Sequence, residues 1–209
     1  MLVNIYISKT QNNSTYIQHY PVEVLEKRTV LGLLLEISAQ QDPTLSFRYG
    51  CRFKHCGLCA AVINGRSQPS CLYEVKGDVK IEPLKGFPIL RDLIIDRLPY
   101  NEMLKERGVY PRLPFEDKSL LDNKFYKTLL GCTDCYCCLS ECPKFIEDKN
   151  FLGPLYYVKL AQLFLNPGSN YVPSVLRDDL LQCMDCMKCY CPYGLPLKKV
   201  IKKIGELVL

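Results

Sequence analysis

Thirteen cysteines in a chain of 209 residues fall into groups whose spacing suits chemistry at sulfur. The run CTDCYCCLSECP, which begins at Cys132, keeps the spacing C-x2-C-x2-C-x3-C-P of sites that hold cubane iron–sulfur clusters. In that pattern the first three thiolates bind one cluster and the fourth binds another, so a second cysteine group is required. The run CMDCMKCYCP, which begins at Cys183, supplies it. Clusters of this kind exchange electrons, and the spacing therefore predicts electron transfer.

The two runs predict a pair of interlocked cubane sites, because the last cysteine of each run crosses to the other cluster. The first predicted site comprises Cys132, Cys135, Cys138 and Cys191. The other comprises Cys142, Cys183, Cys186 and Cys189, which would hold a [4Fe–4S] cluster. The late run is irregular, since only Tyr190 separates its last two cysteines where three residues are usual. Cys137 is left over, and we interpret it as a small buried residue.

A third cysteine group lies upstream and has the plant-type [2Fe–2S] pattern, C-x4-C-x2-C followed by a distant cysteine. Its members are Cys51, Cys56, Cys59 and Cys71. Gly50 and Gly57 would let the backbone fold closely around the inorganic sulfides, where N–H donors tune the reduction potential. A Rieske centre requires two histidines on one iron, and His19 lies in a predicted strand. We therefore interpret His55 as a loop-surface residue.

Zinc sites and disulfides fit the cysteine pattern less well. C-x2-C pairs also bind zinc, but zinc does not account for the C-x4-C-x2-C group and the two Cys-Pro endings together. An odd cysteine count without a secretory leader argues against a disulfide scaffold. No run reaches the 18 to 20 apolar residues of a membrane span, so we expect a cytoplasmic protein or one peripheral on the cytoplasmic face of a membrane. We expect no nucleic-acid partner, because three oxidised clusters of about −2 each would change the formal charge from +5 to about −1.

The first half of the chain has strand patterns on either side of one helix. Residues 2–8 and 15–22 alternate apolar and polar side chains and predict a hairpin. Thr29 is suited to cap a helix through VLGLLLEISAQQ. Further strands are predicted at 60–63, 68–73 and 79–82, with Asn64-Gly65 as a type I′ turn. These elements indicate a small mixed sheet crossed by a helix, as in a plant-type ferredoxin (β-grasp) domain.

The second half has helical periodicity. Residues 83–119 are rich in proline and charge and are interpreted as a packed linker, with a short helix at PILRDLIID. Helices are predicted at 119–130, 154–165 and 196–208. The fold class is therefore α+β, with a [2Fe–2S] domain and the start of the linker in residues 1–100. An α-helical, bacterial-type ferredoxin domain with two cubane-type clusters would occupy residues 101–209.

Taken in order, these features resemble the iron–sulfur subunit of the succinate dehydrogenase/fumarate reductase family. Besides the cysteines, the resemblance rests on FRYGCRFKHCGLCAAVING, PLKGFPILRDLIID, the Gly153-Pro154 step and CPYGLPL. It implies an oxidoreductase complex of the tricarboxylic acid cycle type, in which a partner subunit binds FAD and acts on succinate or fumarate. This chain would be the non-catalytic subunit of a hetero-oligomer, carrying electrons between the flavin and a quinone or other acceptor. A membrane anchor or a cysteine-rich redox subunit would be a further partner.

The late run departs from the family pattern. Typical members have C-x5-C-x3-C-P there and bind [3Fe–4S], whereas Cys186 could supply a fourth ligand, so the third cluster is [4Fe–4S] or [3Fe–4S]. Quinone-linked members have a tryptophan after the first Cys-Pro and a histidine after the first late cysteine. This chain has no tryptophan, and Met184 follows Cys183. A thiol-linked fumarate reductase or a heterodisulfide reductase-like complex is therefore an alternative, and a free-standing ferredoxin shuttle is another.

No catalytic group is predicted in this chain. The sequence contains no nucleophile elbow, Gly-rich phosphate loop or cysteine–histidine pair that would indicate bond-making chemistry. The acidic residues likewise show no catalytic pairing. The reaction on the organic substrate is therefore expected on the flavoprotein partner.

Overall fold

The computed structural model describes residues 1–12, 14–109, 124–166 and 177–208. The chain divides into two compact units. The first comprises Met1–Asp96 together with Thr133–Ser140, and the second comprises Arg97–Cys132 together with Glu141–Leu209. The predicted domain boundary after residue 100 stays a prediction.

The first unit is built on a five-stranded mixed sheet in the order β2-β1-β5-β3-β4. Its strands are β1 (Leu2–Gln11), β2 (Ser14–Glu23), β3 (Ala60–Ile63), β4 (Arg66–Pro69) and β5 (Val79–Glu82). β1 pairs with β5 in parallel and with β2 antiparallel, while β3 pairs antiparallel with β4 and β5. The alternation in β1 buries Val3, Ile5 and Ile7 on one face. The mixed sheet predicted from the sequence is confirmed.

Helix α1 (Val30–Gln40) supplies the other side of this core. Thr29 caps it as predicted, since its hydroxyl accepts a hydrogen bond from the Gly32 N–H at 3.2 Å. The apolar stripe of α1 includes Leu34 and Ile37 and belongs to the same buried cluster as the inner face of β1. The unit therefore has the sheet and single crossing helix of a β-grasp fold.

Two local predictions were wrong. The segment PILRDLIID is a pair of short strands, β6 (Ile89–Arg91) and β7 (Ile94–Ile95), because Asp92 turns the chain with a φ of 49°. The Asp92 carboxylate is buried and accepts hydrogen bonds from the N–H groups of Thr10 and Ser46, both at 2.8 Å. The strand predicted at 68–73 ends at Pro69, and a turn follows it in which the Leu72 N–H bonds to the Pro69 carbonyl at 3.0 Å. The type I′ turn is confirmed, with positive φ at Asn64 and Gly65.

The second unit is helical. In its described part it contains α2 (Leu98–Glu106), α3 (Lys124–Leu129), α5 (Pro143–Glu147), α6 (Gly153–Phe164), α7 (Arg177–Asp185) and α8 (Leu197–Val208). The short helix α4 (Cys137–Ser140) belongs to the first unit. The helices predicted at 154–165 and 196–208 are confirmed as α6 and α8, whereas α2 was not predicted. Residues 119–123 of the remaining predicted helix lie outside the described residues.

The core of this unit forms along α6, where Tyr156 and Tyr157 are fully buried. None of the helices in the described ranges is long and apolar enough to cross a membrane.

Candidate iron–sulfur sites

The first candidate site is the loop that precedes β3. Arg52, Lys54 and Gly57 have left-handed backbone conformations, with φ between 56° and 67°. This winding turns successive N–H groups inward. The N–H groups of Phe53, His55 and Cys56 all donate to Cys51 Sγ at 3.3 Å. The loop is therefore shaped to stabilise negative charge on that sulfur.

Acidity differs among the four predicted [2Fe–2S] ligands. The N–H groups of Phe53 and His55 are the main reason that the pKa of Cys51 falls to about 7. Burial, together with the neighbouring Cys59, which shares a hydrogen bond with it, raises the pKa of Cys71 to about 11. The Cys51 N–H also points at Cys56 Sγ, at 3.5 Å. The predicted ligands thus lie in two pairs, Cys51 beside Cys56 and Cys59 beside Cys71, and a bound metal would be needed to ionise Cys71 at neutral pH.

The exposed side chain of His55 fits its interpretation as a loop-surface residue, since it contributes its backbone N–H to the site. His19 lies in β2, as predicted, and its Nε2 is 2.8 Å from Asn4 Oδ1.

The segment Thr133–Ser140 packs against the loop that precedes β3, within the first unit. A Cβ atom at Gly57 would lie 2.4 Å from the Thr133 carbonyl oxygen and 2.8 Å from the Cys135 nitrogen. Ser140 anchors the end of the segment, because its hydroxyl accepts hydrogen bonds from the Ser67 hydroxyl at 2.8 Å and from the Lys85 N–H at 2.7 Å. Only glycine, which has no side chain, allows the backbone at position 57 to approach the backbone of Thr133 and Cys135 this closely.

The predicted ligands of the first cubane site have different surroundings. Cys135 and Cys138 are buried in the segment Thr133–Ser140, whereas Cys132 and Cys191 are partly buried in the helical unit. The assignment of these four cysteines to one cluster stays a prediction. The spare residue, Cys137, is completely buried, as its interpretation required.

The clearest site lies in the helical unit, where four cysteines from two distant runs line one cavity. The cavity has about 310 Å³ of empty space, part of it open to solvent. The lining cysteines are Cys142, Cys183, Cys186 and Cys189. Elsewhere in its wall, Phe151 and Pro154 add apolar surface and Lys144 adds a cation. Among the described residues, no three His, Cys, Asp or Glu side chains are arranged to hold a single metal ion. Four thiols, three from one run and one from the other, are the donor set that a cubane cluster uses.

Burial and mutual repulsion raise the pKa values of three thiols in this cavity. Burial raises the pKa values of Cys142 and Cys183, and the neighbouring cysteines raise them further. Burial and the charges of Cys186 and Cys142 likewise raise the pKa of Cys189 to about 11, against a lowering effect of Lys198. A cationic metal centre would relieve this repulsion, and its binding would release protons.

Two side chains that the sequence did not identify lie close to residues 183–186, at the C-terminal end of α7. The Lys198 ammonium, in the first turn of α8, donates to the carbonyl oxygens of Cys183 at 3.3 Å and Cys186 at 2.6 Å, and also to that of Met184. The Tyr157 hydroxyl lies beside the Cys183 thiol, and it has no conventional hydrogen-bond partner within the described part of the chain. In the sequence these residues belong to an ordinary basic helix and an apolar helix. No local signal distinguishes them.

A mixed sheet with three cysteines in the loop before β3 and a fourth after β4, followed by a helical part that presents two further cysteine groups, defines a two-domain iron–sulfur protein. Comparison with protein families agrees with this class. A 2Fe-2S iron-sulfur cluster binding domain matches residues 2–102, and a 4Fe-4S dicluster domain matches residues 131–196. A chain of the Mycobacterium smegmatis Sdh1 complex in the apo form has the same fold, with a TM-score of 0.79 and 23% identity. The match covers 99% of this chain and 95% of that one.

Individual relatives establish the family. The chain is 33% identical to the fumarate reductase iron-sulfur subunit of Mycobacterium tuberculosis, over 88% of this chain and 78% of that protein. It is 31% identical to the succinate dehydrogenase iron-sulfur subunit of Paracoccus denitrificans, over 86% and 76% of the two chains. The chain therefore belongs to the family of succinate dehydrogenase/fumarate reductase iron–sulfur subunits.

Some relatives are much longer. One subunit of the CoM/CoB fumarate reductase of Methanothermobacter marburgensis is 26% identical over 91% of this chain, which spans 41% of that protein. The chain spans less than half the length of this and two further archaeal relatives.

Proposed function

We propose that this chain is the electron-transfer subunit of a succinate dehydrogenase/fumarate reductase-type complex, linking a partner FAD subunit to a quinone or other acceptor. The observation that carries the proposal is a cavity on which cysteines of two distant runs converge, Cys142 from the run that begins at Cys132 and the other three from the late run. A chain with thiol-lined sites and no predicted catalytic group is suited to pass electrons rather than to transform a substrate. Bound clusters would supply the one-electron chemistry.

Each cysteine group has its own proposed cluster. A [2Fe–2S] cluster is assigned to Cys51, Cys56, Cys59 and Cys71. A [4Fe–4S] cluster is assigned to Cys132, Cys135, Cys138 and Cys191. A third cluster is assigned to Cys142, Cys183, Cys186 and Cys189, and we propose that it is [4Fe–4S] because Cys186 lines the cavity with the other three cysteines. A [3Fe–4S] cluster would leave that thiol without a metal.

The surrounding protein holds the thiolates and adjusts their charge. Backbone N–H groups of the loop before β3 donate to Cys51 Sγ and would stabilise its thiolate form. In the helical unit, burial keeps water away from Cys142 and Cys183. Because the thiols of this cavity repel one another when ionised, the third site favours a bound cluster over an empty set of thiolates.

A thiol-linked complex is the second candidate. The similarity to a subunit of a CoM/CoB fumarate reductase favours it, as does the presence of Met184 where quinone-linked members have a histidine. In such a complex a cysteine-rich redox partner, rather than a membrane anchor, would accept or donate electrons at the third cluster.

Electron paramagnetic resonance (EPR) of the anaerobically purified protein, as isolated and after reduction, tests these assignments together with iron and sulfide analysis. We expect about ten irons per chain, from one [2Fe–2S] and two [4Fe–4S] clusters. A [3Fe–4S] signal in the oxidised protein would contradict the four-cysteine assignment of the third site. Recovery of the chain alone, without a flavoprotein, would favour the shuttle over the subunit.

A further inference from the structure

We propose that Tyr157 and Lys198 raise the reduction potential of the third cluster, Tyr157 through a hydrogen bond to Cys183 Sγ and Lys198 through its charge beside residues 183–186, at the C-terminal end of α7. This inference rests on the proposed assignment of a cluster to that cavity. Neither residue would be a ligand. Both would act by positioning residues 183–186 and by stabilising the negative charge of the cluster and its thiolates.

The buried Tyr157 O–H group is a hydrogen-bond donor without a conventional acceptor among the described residues. Its side chain is fully buried in α6, and the structure gives the hydroxyl no conventional hydrogen-bond partner among the described residues. A buried, unpaired hydroxyl costs about 1–3 kcal/mol, so such groups normally have a partner. The neighbouring Cys183 thiol is a weak acceptor, but as a metal-bound thiolate it becomes a strong one.

Lys198 acts on the backbone of the same segment. The last carbonyl groups of α7 have no partners within their helix, and the ammonium group covers those of Cys183 and Met184. It also donates to the Cys186 carbonyl, which joins the helix end to the next cysteine. One side chain therefore fixes the spacing of Cys183 and Cys186 and places a positive charge close to both.

The direction of the effect follows from charge. Reduction adds an electron to a group that is already negative, so a nearby cation and an O–H donor stabilise the reduced state more than the oxidised state. Both interactions gain strength in a buried, low-dielectric site. Asp179 opposes them, since its charge also reaches Cys183, but its Oδ2 accepts the Leu152 N–H at 3.3 Å, which partly offsets that charge.

The test is an EPR-monitored redox titration of the full chain, purified anaerobically with any subunits that accompany it. We expect Tyr157→Phe, which removes only the hydroxyl, to shift the midpoint potential of the third cluster to more negative values. Tyr100→Phe is the control, because it removes a buried hydroxyl that bonds to the Leu152 carbonyl at 2.9 Å. The control should leave that potential unchanged, and the [2Fe–2S] potential should be unchanged in both variants.

A pair of substitutions at Lys198 tests the charge separately. Lys198→Gln should lower the same potential and weaken iron retention against a chelator about tenfold. Lys198→Arg, which retains the charge, should restore both. In the unmodified chain, the reduced third cluster should couple to an exchangeable proton that is absent from Tyr157→Phe.

The outcomes distinguish a failure of the roles given to Tyr157 and Lys198 from a failure of the proposed function. Unchanged third-cluster potentials in Tyr157→Phe and Lys198→Gln, with full iron content, would overturn this inference and leave the proposed function intact. Equal shifts in Lys198→Gln and Lys198→Arg would overturn the role of charge. Absence of any third-cluster signal from the unmodified chain would overturn the proposed function and this inference together.

Discussion

Individual cysteines in this chain differ in acidity because their surroundings differ. Cys51 lies in a partly exposed loop and receives three backbone N–H groups, which lower its pKa to about 7. Cys183 is buried among other thiols, so its pKa is raised. The Cys51 thiol therefore ionises readily, whereas the Cys183 thiol would need a bound metal to lose its proton at neutral pH. Cysteine spacing shows which residues can be ligands but not how readily each one ionises.

Replacement of Cys186 tests the proposed four-cysteine site at the scale of a single residue. Cys186→Ser removes one thiol from the cavity, so we expect the third cluster to convert to [3Fe–4S] with a new EPR signal in the oxidised protein. Cys137→Ala is the control, because this substitution removes a buried cysteine that is assigned to no cluster. An unchanged oxidised spectrum in Cys186→Ser would contradict its assignment as a ligand.

At the scale of elements, the close approach at Gly57 brings together two cysteine-containing segments, the loop before β3 and Thr133–Ser140. Gly57→Ala adds a Cβ 2.4 Å from the Thr133 carbonyl oxygen, at a residue with a φ of 62°. We expect it to lower the free energy of unfolding by about 2–5 kcal/mol and to reduce [2Fe–2S] occupancy, as measured by urea denaturation and EPR. Gly65→Ala has a φ of 84° but no neighbouring atom within 4 Å, so it should cost only about 1–2 kcal/mol. Equal effects of the two substitutions would show that the contact with Thr133 is unimportant.

A buried ion cluster joins β1 to the end of α1 and to the β6–β7 turn. The Lys9 ammonium lies 2.9 Å from Asp42 Oδ2 and 3.1 Å from Asp92 Oδ2, and its side chain is only 6% exposed. Lys9→Met would leave two carboxylates without their cation, so we expect urea denaturation to show a loss of about 3–5 kcal/mol.

Lys80→Met provides the matched control. It breaks an ion pair of similar length, 2.9 Å to Glu82, on an exposed surface and should cost at most about 1 kcal/mol. A loss in Lys9→Met no larger than this would mean that the buried cluster does not stabilise the first unit.

At the scale of the molecule, the sequence predicts features that depend on nearby residues. The Thr29 cap, the Asn64-Gly65 turn and α6 were all predicted because their signals lie within a few positions. The β6–β7 pair was missed because its turn depends on hydrogen bonds from Thr10 and Ser46 to Asp92, which are distant in sequence. The position of the Tyr157 hydroxyl likewise depends on how α6 packs, which periodicity does not determine.

Removal of the metal should affect the cysteine-rich segments and the β-grasp core differently. We expect anaerobic chelation to abolish amide protection in residues 132–142 and 183–191, measured by hydrogen–deuterium exchange with mass spectrometry. The physical reason is that helices of four and five residues, such as α4 and α5, are too short to persist without the clusters that the cysteines in or next to them would bind. β1 and α1 should retain their protection, because they share a buried apolar cluster that needs no metal. If β1 and α1 exchanged as fast as the cysteine loops after chelation, the clusters would be required for the whole fold rather than for their own loops.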